Sequence, residues 1–473
     1  MLFINDLLNK EQYIEVKNLL ASAGKIGSGL NQEVYAVGGL LRDFLLGKNV
    51  NDIDLMTVGD GIRFAKELAH SIGINRVVSF NKFGTALIPN KPFQIEVATA
   101  RGEKYDANSR KPSKIVYTNV EEDLSRRDFT INAMAMDIYS KDFGKLYDPF
   151  KGIEDLKNKC LRTPLDPDET FSDDPLRMMR AAYFASKLGF RIEKDCLHSM
   201  KRQSKRIEIV SAERITEEFI KILSTPKPSI GLKILQNTGL MEIVFPEIHT
   251  MHGMNQSTEW HHKDIFAHTL QVVDNSAKLS EKMELRFAAL VHDIAKPSTR
   301  RIDEKKGYTF HGHDVVGEKM INKVANRMRL SNKLSAYLKK MTRLHLRPIA
   351  LVKSEVTDSA VRRLMVAAED DLNDLMLLCR ADITTKNPKR VKKYLSNFEL
   401  VEKKMKNVME KDTLKAFQSP IKGKEIMNIC GIEEGPMVGH IKKSIEDAIL
   451  DGKIDNNYES AKNLLNKIKS NFT

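Results

Sequence analysis

Three acidic residues near the front of this 473-residue chain have the types and spacing to hold metal ions. Asp52 and Asp54 stand one residue apart in DIDLMTV, and Glu96 lies in FQIEVAT. Residues i and i+2 of a β-strand point to one face, so the two aspartates project side by side. Two ionised carboxylates that close repel each other unless a cation lies between them. Hard, divalent Mg²⁺ is the natural partner of such oxygen ligands and commonly brings phosphates with it. A pair of these ions can activate an attacking hydroxyl and stabilise a leaving pyrophosphate. Upstream, Gly38-Gly39 follows the strand-like EVYAV and precedes the helix-like LLRDFLLG. Glycines there let backbone N–H groups approach phosphate oxygens at a helix N-terminus. Arg42, on the first turn, has the fork to hold triphosphate oxygens in pairs. Asp43 can cap, pair with Arg42 or face a nucleotide. A lone DxD or GG turn has an ordinary structural explanation, but GG, then RD, then DxD in order fits one nucleotide site better.

Such a site needs a sheet to carry it. Candidate strands are EVYAVGG, DIDLMTV, NRVVSF, GTALIPN, FQIEVAT and KIVYT, rich in β-branched and aromatic residues and broken by Gly, Pro or Asn. GIRFAKELAHSIG, between the second and third, has helical apolar spacing. After about residue 155 the texture becomes a succession of amphipathic helices, set off by the Pro/Asp stretch RTPLDPDETFSDDP. Histidines then concentrate: of twelve, nine fall between His249 and His345, including His261 and His262. Basic helices (NPKRVKKYLSNFELVEKKMKNVMEK) follow from about 385. The expected division is a head over 1–155, a helical neck over 156–245, a histidine-rich domain over 246–385 and a basic helical tail over 386–473.

Composition narrows the partners. Hydrophobic residues make up 41% and charged residues 29%, the profile of a globular protein rather than a disordered one. No apolar run approaches the ~20 residues of a membrane span, and the start MLFINDLLNKEQY lacks the basic-then-apolar order of a signal peptide. Four scattered cysteines without a CxxC pair argue against a zinc ribbon or disulfide framework and suit the reducing cytoplasm. A formal charge of +13 suits a polyanion such as nucleic acid, although a solvated basic surface explains it as well.

The run GGLLRDFLLGKNVNDIDL resembles the signature of the class II tRNA nucleotidyltransferases, the bacterial CCA-adding enzymes and poly(A) polymerases of the polymerase-β-like superfamily. LSRRDFTINAMA is similar to the family motif that contacts ribose and triphosphate, which places Arg127, Asp128 and Asn132 there. LYDPFKGIEDL resembles the motif joining head to neck, FSDDPLRMMRAAYF the nucleobase-reading motif, and SAERITEEF the motif closing the neck. The resemblance runs over roughly residues 30 to 245. It departs at one point: the base-reading motif more often begins Glu-Asp, and here it is Asp173-Asp174. It implies an α+β fold, with a polymerase-β-like nucleotidyltransferase head built on a small mixed sheet, then an all-helical neck, an HD domain and a tail.

Asp174 before Pro175 suits a helix N-cap and first turn, with Arg177 and Arg180 at i+3 and i+6 on roughly one face. A surface ion pair is the plain explanation for Asp174 and Arg177. The chemical alternative is base selection. Cytosine and adenine each offer an amino donor beside a ring-nitrogen acceptor, which a carboxylate and an arginine match; uracil and guanine would leave those groups unpaired. Arg180 is placed to reach phosphate or the first arginine, and Tyr183 and Phe184 read as core.

In the histidine-rich part, LVHDIAKP carries His292-Asp293, with His268 upstream in IFAHTLQVV and Asp382 downstream in CRADITTK. In this order they resemble an HD domain, a helical metal-dependent phosphohydrolase module, and a mixed N/O set suits a transition metal. His313 in FHGHD and His345 in RLHLRP extend the shell. The expected function is addition of C, C and A to the tRNA 3′ end from CTP and ATP, with Mg²⁺ in the head. The HD module would then mend damaged 3′ ends or be architectural. A poly(A) polymerase or A-adding enzyme of the same family is the near alternative, and an HD phosphohydrolase with an RNA-binding head the distant one. Lysines from Lys389 to Lys406 would supply sequence-independent phosphate contacts.

Overall fold

The structure is a computed structural model; it describes residues 4, 8–50, 52–81, 84–105, 112–139, 143–254, 264–305, 307–352, 357–411 and 419–469, with side chains excluded at 102–105, 112–117, 410 and 411. His261 and His262 lie outside these. The chain forms two compact units, 1–249 and 250–473.

The first unit opens with a helix, Ile14–Leu30, that ends on Asn31 in the left-handed region. A seven-stranded sheet follows, from β1 (Glu33–Val37), β2 (Asp52–Val58), β3 (Val78–Phe80), β4 (Thr85–Ile88), β5 (Gln94–Thr99), β8 (Ala135–Asp137) and β9 (Leu146–Tyr147), while β6 (Arg101–Tyr105) and β7 (Pro112–Tyr117) form a separate hairpin. The spatial order is β3-β4-β5-β2-β1-β8-β9. All neighbours run antiparallel except β2 and β5. A parallel pair needs a long crossover, supplied here by the helix Gly61–Ser71 and the β3–β4 pair. That helix starts cleanly because the Asp60 carboxylate accepts from the N–H groups of Ile62 and Arg63.

Alternation does the positioning. Along β2, Ile53 and Leu55 are buried, whereas Asp52 is exposed and Asp54 half-buried; along β5, Ile95 and Val97 are buried and Glu96 is exposed. The apolar set is covered by helices, and the acidic set is left on the open face. All six strand-like runs form strands, although NRVVSF is trimmed to its last three residues. Strands β8 and β9, of three and two residues, were too short to show periodicity in sequence.

From Pro167 the unit is helical: Pro167–Asp173, Leu176–Leu188, Lys194–Gln203, Ala212–Leu223 and Pro228–Asn237. Leu176–Leu188 is the central helix, with Ala212–Leu223 and Pro228–Asn237 packed on it. A short parallel pairing of Cys160–Leu161 with Arg191–Ile192 ties the start of this body together. The mixed-sheet head and helical neck of the α+β expectation are borne out.

The second unit is built from helices including Ile265–Leu279, Met283–Val291, His313–Arg327, Asn332–Leu344, Asp358–Ala368, Leu372–Ala381 and the long Pro388–Lys411. A small hairpin, Arg301–Asp303 with Gly307–Thr309, interrupts them. Three further helices, Gly423–Cys430, Pro436–Leu450 and Tyr458–Ile468, share a cluster around Ile426, Ile441, Ile445 and Leu465. Among the described residues no helix is long and apolar enough to cross a membrane.

Gly24 fixes how the first helix meets the sheet: a Cβ there would stand 1.8 Å from the Ile138 carbonyl oxygen. Backbone cannot yield as a side-chain tip can. Gly24→Ala should therefore destabilise the first unit by about 1–3 kcal/mol, the usual cost of overpacking, read as a lowered midpoint in urea.

Candidate active site and metal centre

The β2–β5 register places Asp54 directly across from Glu96, and Asp52 across from Gln94. Three carboxylates therefore share one end of two adjacent strands. Burial raises the Asp54 carboxyl, and Asp52 adds to the rise, while Arg127, the Gly39 N–H and Arg42 pull it down. Burial, then the charges of Asp54 and Asp52, raise Glu96 as well. The like-charge crowding expected from sequence is present, and an all-oxygen donor set suits hard divalent cations.

Gly38 and Gly39 touch this group. Gly38 is left-handed at φ +68°, and a Cβ on it would lie 3.1 Å from both an Asp54 carboxylate oxygen and Arg127 Nη1. Only glycine combines that backbone with that closeness.

Arg42 is buried at 4% exposure. Its Nε and Nη2 donate to the two Asp43 carboxylate oxygens at 2.9 and 2.8 Å, and its Nη1 donates to Asn132 Oδ1 at 2.8 Å. Asp43 thus pairs with Arg42, the second of its three sequence options. Asn132 passes the network on, donating from Nδ2 to Asp128 Oδ1 at 3.0 Å. The other Asp128 oxygen accepts from Arg180 at 2.6–2.8 Å. Burial works to raise Asp128, but Arg180 and Asn132 overcome it and hold the carboxyl below its usual range. Arg180 is therefore engaged with Asp128 rather than with Arg177. Phe184 is buried as expected, but it also lies beneath the guanidinium groups of Arg42 and Arg180, 5.1 and 5.3 Å from its ring centre.

Arg177, 8% exposed, donates to the backbone carbonyls of Thr170 at 3.1 Å and Arg126 at 2.5 Å. The Asp174 carboxylate accepts the Leu176 N–H at 3.2 Å, but the helix begins at Leu176 with Pro175 at its N-cap position, one residue later than the sequence suggested, and Asp174 closes the preceding helix. Sequence reasoning missed Asp123. It is fully buried and takes Arg126 at 2.5 Å and Arg127 at 3.1 Å, which hold its carboxyl low against the effect of burial. The signal was there in the i, i+3 and i+4 spacing to two adjacent arginines.

A cleft of ≈ 510 Å³ gathers these residues. Its cations are Arg42, Arg126, Arg127, Arg177, Arg180, Lys187, Arg214 and Lys221, against the acids Asp54, Asp128, Asp174 and Glu218. Eight against four is a surplus suited to a polyphosphate. A second cleft of ≈ 460 Å³ shares Asp54 and Arg127 with the first and adds Glu96 and the exposed Phe80.

The second unit brings all six of its sequence candidates together. His268 Nε2 lies 3.0 Å from Asp382 Oδ1 and 3.6 Å from Asp293 Oδ2. His292 Nε2 lies 3.1 Å from Asp293 Oδ2 and 3.6 Å from Asp382 Oδ1. His313 and His345 Nε2 lie 3.3 and 3.7 Å from Asp293 Oδ1. Burial works to lower the His292 imidazole, yet Asp293 and Asp382 raise it to about 10. Burial, and then the charge of His292, lower His345 to about 4. His292 Nε2, Asp293 Oδ2 and Asp382 Oδ1 are buried without an aligned hydrogen bond, so a cation fits this donor set.

The poly A polymerase head domain family matches residues 34–162, the probable RNA- and SrmB-binding site of polymerase A family matches 189–251, and the HD domain family matches 265–387. The chain is 34% identical over 362 residues to the multifunctional CCA protein of Vibrio parahaemolyticus, covering 74% of this chain and 85% of that one. The multifunctional CCA protein of Vibrio vulnificus strain CMCP6 is 36% identical, covering 74% and 84%. The fold is that of the Bacillus stearothermophilus CCA-adding enzyme in complex with CTP (TM-score 0.66, 22% identity, 98% of both chains). It is also that of the Thermotoga maritima CCA-adding enzyme complexed with tRNA (TM-score 0.60, 22% identity, 99% of both).

Because the Asp54 carboxyl is raised in the folded chain, its charge opposes folding at neutral pH. The stability this group contributes falls as pH rises through its shifted range. Asp54→Asn should leave the thermal midpoint in chelator unchanged or higher. Mg²⁺ should raise the midpoint of the unaltered chain more than that of the variant, as calorimetry would record.

Proposed function

The chain belongs to the family of the multifunctional CCA proteins, and from that premise we propose that it adds C, C and A in turn to the 3′ end of tRNA, taking them from CTP and ATP and releasing pyrophosphate. The observation that carries this reading is the pairing of Asp54 with Glu96 beside Asp52, on a strand end shared by a cationic cleft and a second cleft.

Asp52, Asp54 and Glu96 would hold two Mg²⁺ ions, which when bound lower the charge barrier between the RNA hydroxyl and the α-phosphate and neutralise the leaving pyrophosphate. The protein's own contribution is placement. The triphosphate takes the cationic cleft, on the Gly38–Gly39 backbone and the arginines. Asp128 and Asn132 receive the ribose side and keep Arg42 and Arg180 aimed. The RNA 3′ end takes the second cleft, where exposed Phe80 offers a face for its terminal base. Asp174 accepts from the amino group of cytosine or adenine and Arg177 donates to the ring nitrogen. Two backbone carbonyls clasp Arg177, which restricts its swing and favours selection by a fixed edge.

In the second unit, the helix Pro388–Lys411 buries Phe398, Val401, Met405 and Val408 and leaves Lys389, Arg390, Lys392, Lys393, Lys403 and Lys406 in solvent. That face suits sequence-independent contact with tRNA phosphates. The histidine–aspartate centre supports phosphohydrolase activity beside the transferase, of the class that removes a phosphate or opens a cyclic phosphate at an RNA end.

Incubated with Mg²⁺, CTP, ATP and a tRNA lacking its last three nucleotides, the protein should add C, C and A, read by sequencing the product. A alone or a long A tract would overturn the reading. Asp52→Asn and Asp54→Asn should each lower the rate by about a thousandfold, since metal ligation is worth several kcal/mol.

Replacing Asp174 by Asn keeps an acceptor for the Leu176 N–H but presents a donor to the base. It should narrow the preference for CTP and ATP over UTP and GTP by about 10–100-fold, the value of one buried unpaired group. Unchanged nucleotide choice in competition assays would remove Asp174 from base reading.

A further inference from the structure

A cleft of ≈ 660 Å³ opens beside the histidine–aspartate centre of the second unit. Three of its lining residues belong to that centre or touch it. Asp382 is itself one of the candidate donors. The Thr384 hydroxyl lies 3.1 Å from His268 Nδ1, and the Cys379 thiol donates to the His345 carbonyl oxygen at 3.2 Å. Another wall is the helix Pro388–Lys411, which contributes Lys393, Tyr394, Asn397 and Phe398. Resting on the reading that the centre acts on a phosphate at an RNA end, we propose that this cleft binds the terminal nucleoside carrying that phosphate, with its base stacked on Tyr394.

The chemistry of the helical wall fits a nucleoside. Tyr394 keeps 43% of its surface exposed although it lines the cleft, which leaves an aromatic face open to a ligand. Stacking on such a face is the sequence-tolerant way to hold an unpaired base. Asn397, one turn on, is half-buried, and its amide can both donate and accept, as a base edge requires. Lys393 adds a cation for the phosphate that continues the strand. An acyl chain or an apolar peptide would leave the Asn397 amide unmatched. The volume falls in the range of about 300–1,000 Å³ typical of small-ligand sites, with room for one splayed-out nucleotide and not for a duplex end.

This wall is anchored to the centre. Phe398, Val401 and Met405 bury the inner face of the helix. Arg380, two residues before Asp382, donates from Nη1 and Nη2 to Glu402 Oε1 and Oε2 at 2.7 and 2.8 Å. A bidentate pair of this kind fixes direction as well as distance. Tyr394, about two turns up the same helix, therefore keeps its place relative to Asp382. The base-holding face and the phosphate-handling centre form one preformed site.

The test irradiates chelator-treated, full-length protein with 8-azidoadenosine 2′-phosphate and identifies the labelled peptides by mass spectrometry. Label should fall in Pro388–Lys411, and adenosine 2′-phosphate should displace it whereas inorganic phosphate should not. Tyr394→Ala should lower that label about tenfold, the worth of one stacked base, and Tyr394→Phe should keep it. In Mn²⁺-loaded protein, adenosine 2′,3′-cyclic phosphate is compared with methyl riboside 2,3-cyclic phosphate, which has no base. The ratio of their kcat/KM values should fall by a similar factor in Tyr394→Ala, through KM. A protein that hydrolyses neither compound removes the phosphohydrolase reading, and the label then decides the cleft by itself. Label confined to other peptides, label that Tyr394→Ala leaves unchanged, or an unchanged ratio would overturn the proposal.

Discussion

Charge repulsion between carboxylates is the constraint on which both halves of this protein depend. In the head, a parallel register forces Asp54 against Glu96 with Asp52 one pleat away. In the second unit, Asp293 and Asp382 share a buried space with four imidazoles. Neither arrangement would persist for packing alone, because burial penalises each charge and proximity penalises it again. The head leaves this tension in place, with raised carboxyls. The second unit relieves part of it through Lys296, whose ammonium lies 2.6 Å from Asp293 Oδ2.

The arginines of the head answer a different demand. A cleft lined by eight cations would tear itself open unless some were held by internal acids. Asp43, Asp123 and Asp128 do this from behind the surface. The chain Asp43–Arg42–Asn132–Asp128–Arg180 links the first helix after the glycine turn to the central helix of the neck. Polyphosphate and base recognition would thereby share one rigid frame, in which moving either partner shifts the other.

Much of the fold could be read from local pattern. The alternation in DIDLMTV and FQIEVAT marks strands with one acidic face, and the spacing in GIRFAKELAHSIG marks the helix between them. The short strands β8 and β9 had no pattern to read, because they exist through pairing with β1 and with each other. The hairpin Arg301–Asp303/Gly307–Thr309 was likewise hidden, since Arg301, Ile302 and Asp303 are all exposed.

The sequence by itself determined the acidic pair, the glycine turn, the order of the motifs and the histidine and aspartate candidates of the second unit, because these are matters of residue type and short spacing. Only the tertiary structure decided which acid stands across from which. It gave Asp43 and Asp128 to Arg42 and Arg180, buried Asp123 beneath two arginines, and gathered four histidines around the Asp293 carboxylate. Glu96 and Asp382 join their sites from 42 and 89 residues beyond Asp54 and Asp293. Separations of that size are closed by strand register and helix packing, which no local pattern encodes.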